Sequence, residues 1–383
     1  MNEILYNKQY YLPLIEYTEG FFPENHLNNV FVISCQHILP STHMMFRSMI
    51  RLGLNPKNLA VIGKCYSTNN EVMNNLRKED IYVCDSSNIF NSDLSFDEQF
   101  KKSITLFLES QLQRMAPKQN DTIIILDDGG ELLTAAQSLK SKYPNIFGVE
   151  QTTSGYHKLA YVNMSFPVKN VALSKAKLDF ESPLIAKSIL KNLDHKISIS
   201  ELTSKEILIV GNGSIGNEIK KLLATDLYKH HNIVSYDVIH EKTDIEYLDF
   251  SNFDIIIGAT GTRMMIHNYY DTLKNGATLV SVSSSDREFD AVHFRKLSKK
   301  IYNTHDDITY KNIKLLNCGF PLNFSGEDSV SVPLHKIQLV CALLMLGVCE
   351  LAKCDTKQKD FVQLNKDLAQ RITNQFIKSC AEQ

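Results

Sequence analysis

The sequence predicts a two-domain α/β protein with mainly parallel sheets, and three observations carry that prediction. The chain has 383 residues, beyond the size at which a single hydrophobic core keeps growing. Short β-branched runs alternate with amphipathic stretches, the pattern of strands joined by crossover helices. The turn Gly211-Asn-Gly-Ser-Ile-Gly216 stands between a buried strand and a helix, as in the opening of a dinucleotide-binding βαβ unit, so the second domain is expected to be a Rossmann fold.

In chain order, the first series of strands is read at Val30–Ser34, Leu59–Ile62, Ile81–Cys84 and Thr122–Leu126, with helices over Thr42–Leu52 and Gln99–Met115. The domain boundary is expected between Pro167 and Ser174, ahead of a helix over Ser182–Leu193. A second series follows at Glu206–Val210, Asn232–Tyr236, Phe253–Ile257, Thr278–Val282 and Ile313–Leu316, with a helix over Ser214–Tyr228. Residues 1–170 therefore form the first domain, 171–332 the Rossmann domain and 354–383 a tail. The segment Pro333–Leu351 is apolar on nearly every face and is expected to pack back on the first domain.

Composition excludes several function classes. With 43% hydrophobic and 22% charged residues and a formal charge of -2, the chain reads as folded and globular, with no polybasic surface for a nucleic-acid partner. The start Met-Asn-Glu-Ile-Leu-Tyr-Asn-Lys has neither the basic nor the apolar part of a signal peptide, so a cytoplasmic location is expected. The longest apolar run, Val340–Val348, is about half of a membrane span, and no membrane association is expected. The eight cysteines contain no Cys-x-x-Cys pair and read as reduced core residues, with neither a metal site nor a disulfide framework.

The glycine turn carries the strongest chemical signal. Gly211 permits the tight turn, Gly213 lets a pyrophosphate approach the backbone, Ser214 and Ile215 open the helix, and Gly216 allows close helix–strand packing. Asp237 ends the next strand about 20 residues later, where a carboxylate accepts ribose hydroxyls and disfavours a 2′-phosphate. NAD is therefore the expected cofactor. The turn Gly258-Ala-Thr-Gly261 follows another strand of the same sheet, which makes Thr260 and Gly261 cofactor candidates.

Three earlier segments bear polar groups. Leu126-Asp-Asp-Gly-Gly-Glu131 puts carboxylates at the end of an apolar strand, either as solvated turn residues or facing a ligand. Glu150-Gln-Thr-Thr-Ser-Gly155 offers an amide and hydroxyls, as a helix cap or as ligand contacts. Ser174-Lys-Ala-Lys-Leu-Asp179 places Lys175 and Asp179 four apart, on one helical face, which alone is a surface ion pair.

In this order these segments resemble motifs of the S-adenosylhomocysteine hydrolase family. Ser34-Cys-Gln-His37 and Cys65-Tyr-Ser-Thr68 are similar to two earlier motifs of that family, and the resemblance extends over about residues 28–350. It implies a cycle in which bound NAD oxidises a ribose 3′-hydroxyl, a 5′ thiolate is eliminated, water adds and the alcohol is restored. It further implies that Lys175 and Asp179 act at the 3′-hydroxyl, Asp128 near the 4′ proton and His37 near the 5′ leaving group. Gln151, Ser67 and Thr68 would then bind substrate, and Thr152, Thr153, Ser154 and Asn323 would join the glycine turn in holding the cofactor.

The sequence also departs from that family. Gln151 stands where the family has a glutamate, Phe180 where it has an asparagine, and Ser283–Asp286 and Asn323–Ser329 each lack a family histidine. Leu39 and Ser41 replace the residues that read adenine, and Arg371–Gln383 has no counterpart of the family's lysine- and tyrosine-bearing tail. The expectation is thus a divergent enzyme acting with NAD on a nucleoside-like small molecule, S-adenosylhomocysteine or a relative, and forming a homo-oligomer. Two alternatives stand beside it: a dehydrogenase of a sugar or nucleoside alcohol without hydrolysis, and a non-catalytic NAD-binding sensor.

Overall fold

A computed structural model of the chain describes residues 11–197, 204–225, 232–237, 249–265, 267–298, 300–325, 332–354 and 358–381. The chain is an α/β protein of two compact units with mainly parallel sheets. One comprises residues 1–89, 101–179 and 333–383; the other comprises 90–100 and 180–332.

The first unit carries β1 (Val30–Cys35), β2 (Leu59–Ile62), β3 (Tyr82–Val83), β4 (Thr122–Asp127), β5 (Ile146–Glu150) and β6 (Val168–Asn170). β1 and β2 are buried along their whole length, as expected of strands covered on both faces of a parallel sheet. β5 and β6 carry no clear strand signal in the sequence, because glycine and lysine interrupt their short apolar runs.

The second unit carries β7 (Ile207–Val210), β8 (Ile233–Tyr236), β9 (Ile255–Gly258), β10 (Thr278–Ser281), β11 (Ile308–Tyr310) and β12 (Ile313–Leu315). Its order is β11-β12-β10-β9-β7-β8, parallel except for the antiparallel pair β11 and β12. A core of Ile207, Ile209, Ile219, Leu223, Ile255, Ile257 and Val280 lies under the sheet. The helix after β7 runs Ser214–Leu223 and is capped at Ala224, short of the expected end; residues 226–228 of the expected helix and 326–329 of the Asn323 segment lie outside the described residues.

The helix Leu334–Leu351 then returns to the first unit. By length and composition it is apolar enough to cross a membrane, yet 13 of its residues are buried in this protein core. The chain ends in β13 (Phe361–Val362), paired with β6, and the helix Lys366–Ala381, so the segment read as a tail completes the first unit. Lys169 ties it down by donating to the Gln363 carbonyl at 2.8 Å and pairing with Glu350. The first sheet thus has the order β13-β6-β5-β4-β1-β2-β3.

Residues 90–100, assigned to the first domain from sequence, belong instead to the second unit. Arg295 donates to the carbonyls of Ser92 and Leu94 and lies over the Phe90 ring, while Asp286 accepts from the Phe96 N–H. These partners are far apart in sequence, and no local pattern announces them.

Candidate active site

Each sheet has one point where the chain reverses its direction of strand addition. In the first, β2 and β3 extend from one side of β1 while β4 lies on the other; in the second, β8 and β9 flank β7. Open parallel sheets bind ligands just beyond the carboxyl ends of the strands at such points. The polar segments singled out from sequence follow β1, β4, β5, β7 and β9.

At the first point, β4 runs into Asp127, Asp128 and a turn in which Gly129 and Gly130 have φ of 115° and 77°, a conformation that L side chains rarely adopt. The turn aims Asp128 at two partners. Its Oδ1 accepts from Lys64 Nζ, and its Oδ2 lies 3.4 Å from His37 Nε2. His37 Nδ1 lies 2.5 Å from Ser67 Oγ. Lys64 and Asp128 are almost wholly buried, whereas His37 is partly exposed.

Charge sets the protonation states. Burial favours a neutral Asp128, but the charge of Lys64 and its hydrogen bond outweigh it, and the Asp128 pKa is lowered. Burial likewise opposes the Lys64 charge, and Asp128 overrides it, raising the lysine pKa. Desolvation, assisted by Lys64 and Lys177, lowers the His37 pKa to about 4 against the pull of Asp128. The cluster is therefore an ammonium–carboxylate pair beside a neutral imidazole.

Acceptors crowd the same edge. Among the described residues, Asp127 Oδ1, Asp128 Oδ2, Glu150 Oε2 and Gln151 Oε1 are buried with no hydrogen-bond partner, as are Ser34 Oγ and Gln36 Nε2. Buried polar atoms are ordinarily satisfied, so this concentration at one switch point is the mark of a polar ligand site.

Other sequence candidates have structural duties. Thr68 Oγ1 lies within hydrogen-bond distance of the carbonyls of Lys64 (3.0 Å) and Ser87 (2.9 Å), between which its one proton is shared, leaving Ser67 as the hydroxyl that meets His37. Thr152 caps the helix Thr153–Leu159 by accepting the Gly155 N–H at 2.9 Å, and Thr153 and Ser154 form that helix's first turn. Lys175 and Asp179 pair at 3.3 Å on the surface, the lysine 92% exposed, and are not brought into the cluster. Lys177, a little over half a helical turn away, is the buried lysine of that segment, and its charge acts on both His37 and Asp128.

At the second point the ligand groups are mainly backbone. Gly211 has φ of 106°, and a Cβ there would meet the Ala259 carbonyl carbon and oxygen at 2.6 Å. A Cβ on Gly216 would come within 1.9 Å of the Gly211 oxygen. One on Gly213 would meet nothing within 4 Å, so the start of the helix Ser214–Leu223 is open where a pyrophosphate would lie. Asp237 Oδ2 accepts the Asn212 N–H at 2.8 Å, setting a carboxylate beside the turn. The donor set and the space suit a dinucleotide.

Glu288, absent from the sequence reading, organises the opposite loop. Its Oε1 accepts from Thr260 N (2.7 Å), Thr260 Oγ1 (3.1 Å) and Gly261 N (3.1 Å), and its Oε2 accepts from Ser281 Oγ (3.0 Å). Thr260 and Gly261 thus spend these donors on Glu288, which fixes the loop after β9. Asn323 lies buried in a short turn, Leu322–Phe324. Lys64, Lys177 and Glu288 were missed because each is one charged residue in a loop or first turn; the only local hint was Lys64 directly before the Cys65–Thr68 motif.

No family model matches the chain. The uncharacterized proteins MT0113 of Mycobacterium tuberculosis (strain CDC 1551 / Oshkosh) and Rv0104 of M. tuberculosis (strain ATCC 25618 / H37Rv) are each 36% identical to it over 336 residues, 85% of this chain. The chain spans 66% of the length of these curated relatives. Solved structures with a similar course include NAD+-bound 3-phosphoglycerate dehydrogenase of Entamoeba histolytica, 12% identical with a TM-score of 0.42 over 88% of this chain and 100% of that one. D-2-hydroxyisocaproate dehydrogenase is 12% identical with a TM-score of 0.38 over 85% and 98%, and the dipicolinate synthase A chain of Bacillus subtilis is 10% identical with 0.38 over 92% and 97%. At these scores the likeness speaks to nothing finer than the α/β fold.

The resemblance to S-adenosylhomocysteine hydrolases is overturned by these findings. No model of that family matches the chain, none of the similar structures named above is such a hydrolase, and the curated relatives are uncharacterised. The motifs that suggested that family have local reasons: two left-handed glycines at a strand end, a threonine helix cap, and an exposed ion pair.

Proposed function

We propose that the chain is an NAD-dependent dehydrogenase that oxidises a hydroxyl of a small polyhydroxylated substrate, a sugar or nucleoside alcohol. The single observation that carries this reading is the glycine turn at the second switch point, closed around Gly211 and Gly216, open above Gly213, with Asp237 beside it. A carboxylate there favours the free ribose hydroxyls of NAD over the 2′-phosphate of NADP.

The first switch point supports the alcohol half of the chemistry. NAD, when bound, supplies the hydride acceptor; what remains is to remove the hydroxyl proton and stabilise the oxygen's developing charge. Neutral His37, with Nε2 beside Asp128, accepts through Nδ1 the proton of the Ser67 hydroxyl, which in turn takes that of the substrate hydroxyl. Lys64 and Lys177 supply positive charge, and Gln151 Oε1, buried with no hydrogen-bond partner among the described residues, accepts a substrate hydroxyl.

Mass spectrometry of the nucleotide released from purified protein tests the cofactor, and absorbance of NADH during turnover of a panel of sugars and nucleosides tests the reaction. Bound NAD with net NADH accumulation is expected. Absence of NAD both in the released material and in binding assays overturns the reading.

A further inference from the structure

Asp127 and Glu150 are register partners at the carboxyl ends of β4 and β5, so their side chains leave the sheet on the same face, and both are wholly buried. Each has one oxygen engaged. Asp127 Oδ2 accepts the Leu133 N–H at 2.8 Å. Glu150 Oε1 accepts from Gly129 N (3.2 Å), Thr152 N (2.7 Å) and Thr152 Oγ1 (2.8 Å). The other two oxygens, Asp127 Oδ1 and Glu150 Oε2, are buried with no hydrogen-bond partner among the described residues. Two buried carboxylates side by side, each with an unmet oxygen, are costly, and one proton between them relieves both the repulsion and the missing bonds.

We propose that Asp127 and Glu150 share a single proton, Glu150 Oε2–H donating to Asp127 Oδ1, and that this carboxyl–carboxylate pair holds in place the turn bearing Asp128 and the cap of the helix Thr153–Leu159. Through Oε1 the same glutamate grips both Gly129 and Thr152, so the pair acts on Asp128 by position and does not itself touch substrate. That consequence for catalysis rests on the dehydrogenase reading; the shared proton does not.

The proton belongs on Glu150. Lys64 beyond β2 and Lys158 on the helix Thr153–Leu159 bring positive charge to Asp127, with Asp128 next in the chain and the Cys35 thiol of β1 also facing it. Glu150 meets the negative charges of Asp127 and Asp128. Burial, then repulsion from Asp127, pushes Glu150 up to about 8, while burial raises Asp127 to about 6 against the Leu133 hydrogen bond and Lys64.

A carboxyl whose pKa is raised on folding stabilises the fold fully below its unfolded value and loses that contribution as pH rises through the folded value. For Glu150 the window runs from the ordinary 4.5 to about 8. Urea unfolding across this window, with infrared detection of a protonated carboxyl, tests the proposal without any substrate or cofactor. Glu150→Gln keeps the acceptor oxygen and replaces the O–H donor by N–H. It should fold, lose the protonated-carboxyl band at neutral pH, and reduce the protons taken up on folding in this window by about one. An unchanged band or an unchanged pH slope in E150Q overturns the proposal. If E150Q does not fold, the infrared titration of the wild-type chain decides: a band persisting above pH about 6 supports the shared proton, and its loss in the ordinary carboxylate range refutes it.

Discussion

At the carboxyl edge of the first sheet the polar groups are side chains, His37, Lys64, Asp127, Asp128 and Glu150, whereas at that of the second they are mostly backbone groups around Gly211 and Gly213. The first edge gathers charges whose protonation depends on one another, and the second offers open backbone at a helix start with one carboxylate beside it. A diphosphate needs fixed N–H groups and room, which glycines provide; the alcohol oxidation proposed above needs groups that exchange a proton, which side chains such as these provide. The two edges therefore answer to different perturbations.

The largest effect is expected at the first edge. Lys64→Met removes one partner of a buried pair and leaves Asp128 charged and unmatched, which should cost about 3–5 kcal/mol of stability by urea denaturation. A cost well below that range would mean that Asp128 reaches water, and that the edge is more open than its burial indicates. At the second edge, Glu288→Ala strips two backbone N–H groups and two hydroxyls of their acceptor; a loss of about 1–3 kcal/mol is expected, accompanied by weaker NAD binding as the Thr260–Gly261 loop relaxes. Unaltered NAD affinity in a folded E288A protein would detach that loop from the cofactor. The smallest effect is expected from Lys175→Ala, which breaks an exposed pair worth at most about 1 kcal/mol; activity and stability should both stay near those of the unmodified chain. Loss of turnover in K175A with stability retained would return Lys175 to the reaction.

Much of the fold could be read from the sequence because parallel strands announce themselves locally. Val30–Cys35, Thr122–Asp127 and Ile207–Val210 are continuous apolar runs, and the glycine turn couples a strand to a helix within a few residues. What escaped depends on distant partners. Residues 90–100 join the second unit through Arg295 and Asp286, and β13 joins the first sheet only because the chain returns after Leu334–Leu351. The first site was half legible: Asp128 and His37 were visible as strand-end residues, but Lys64 meets Asp128 only after β2 and β4 are laid on either side of β1. In the Ser174–Asp179 segment Lys175 and Asp179 share a helical face, as their spacing predicts, but that face is exposed, and the buried lysine is Lys177, nearly opposite by geometry and indistinguishable from Lys175 by composition.

The most direct test of the division between a backbone cofactor edge and a side-chain chemical edge is a calorimetric titration of the protein and its Gly213→Ala variant with NAD and with NADP. A Cβ at position 213 enters open space, so the variant should fold at a cost of about 1 kcal/mol or less while obstructing the pyrophosphate. The account predicts that the unaltered chain binds NAD more tightly than NADP and that Gly213→Ala weakens NAD at least about tenfold, or 1.4 kcal/mol. Equal NAD binding by both proteins, or preference for NADP beside Asp237, would contradict it.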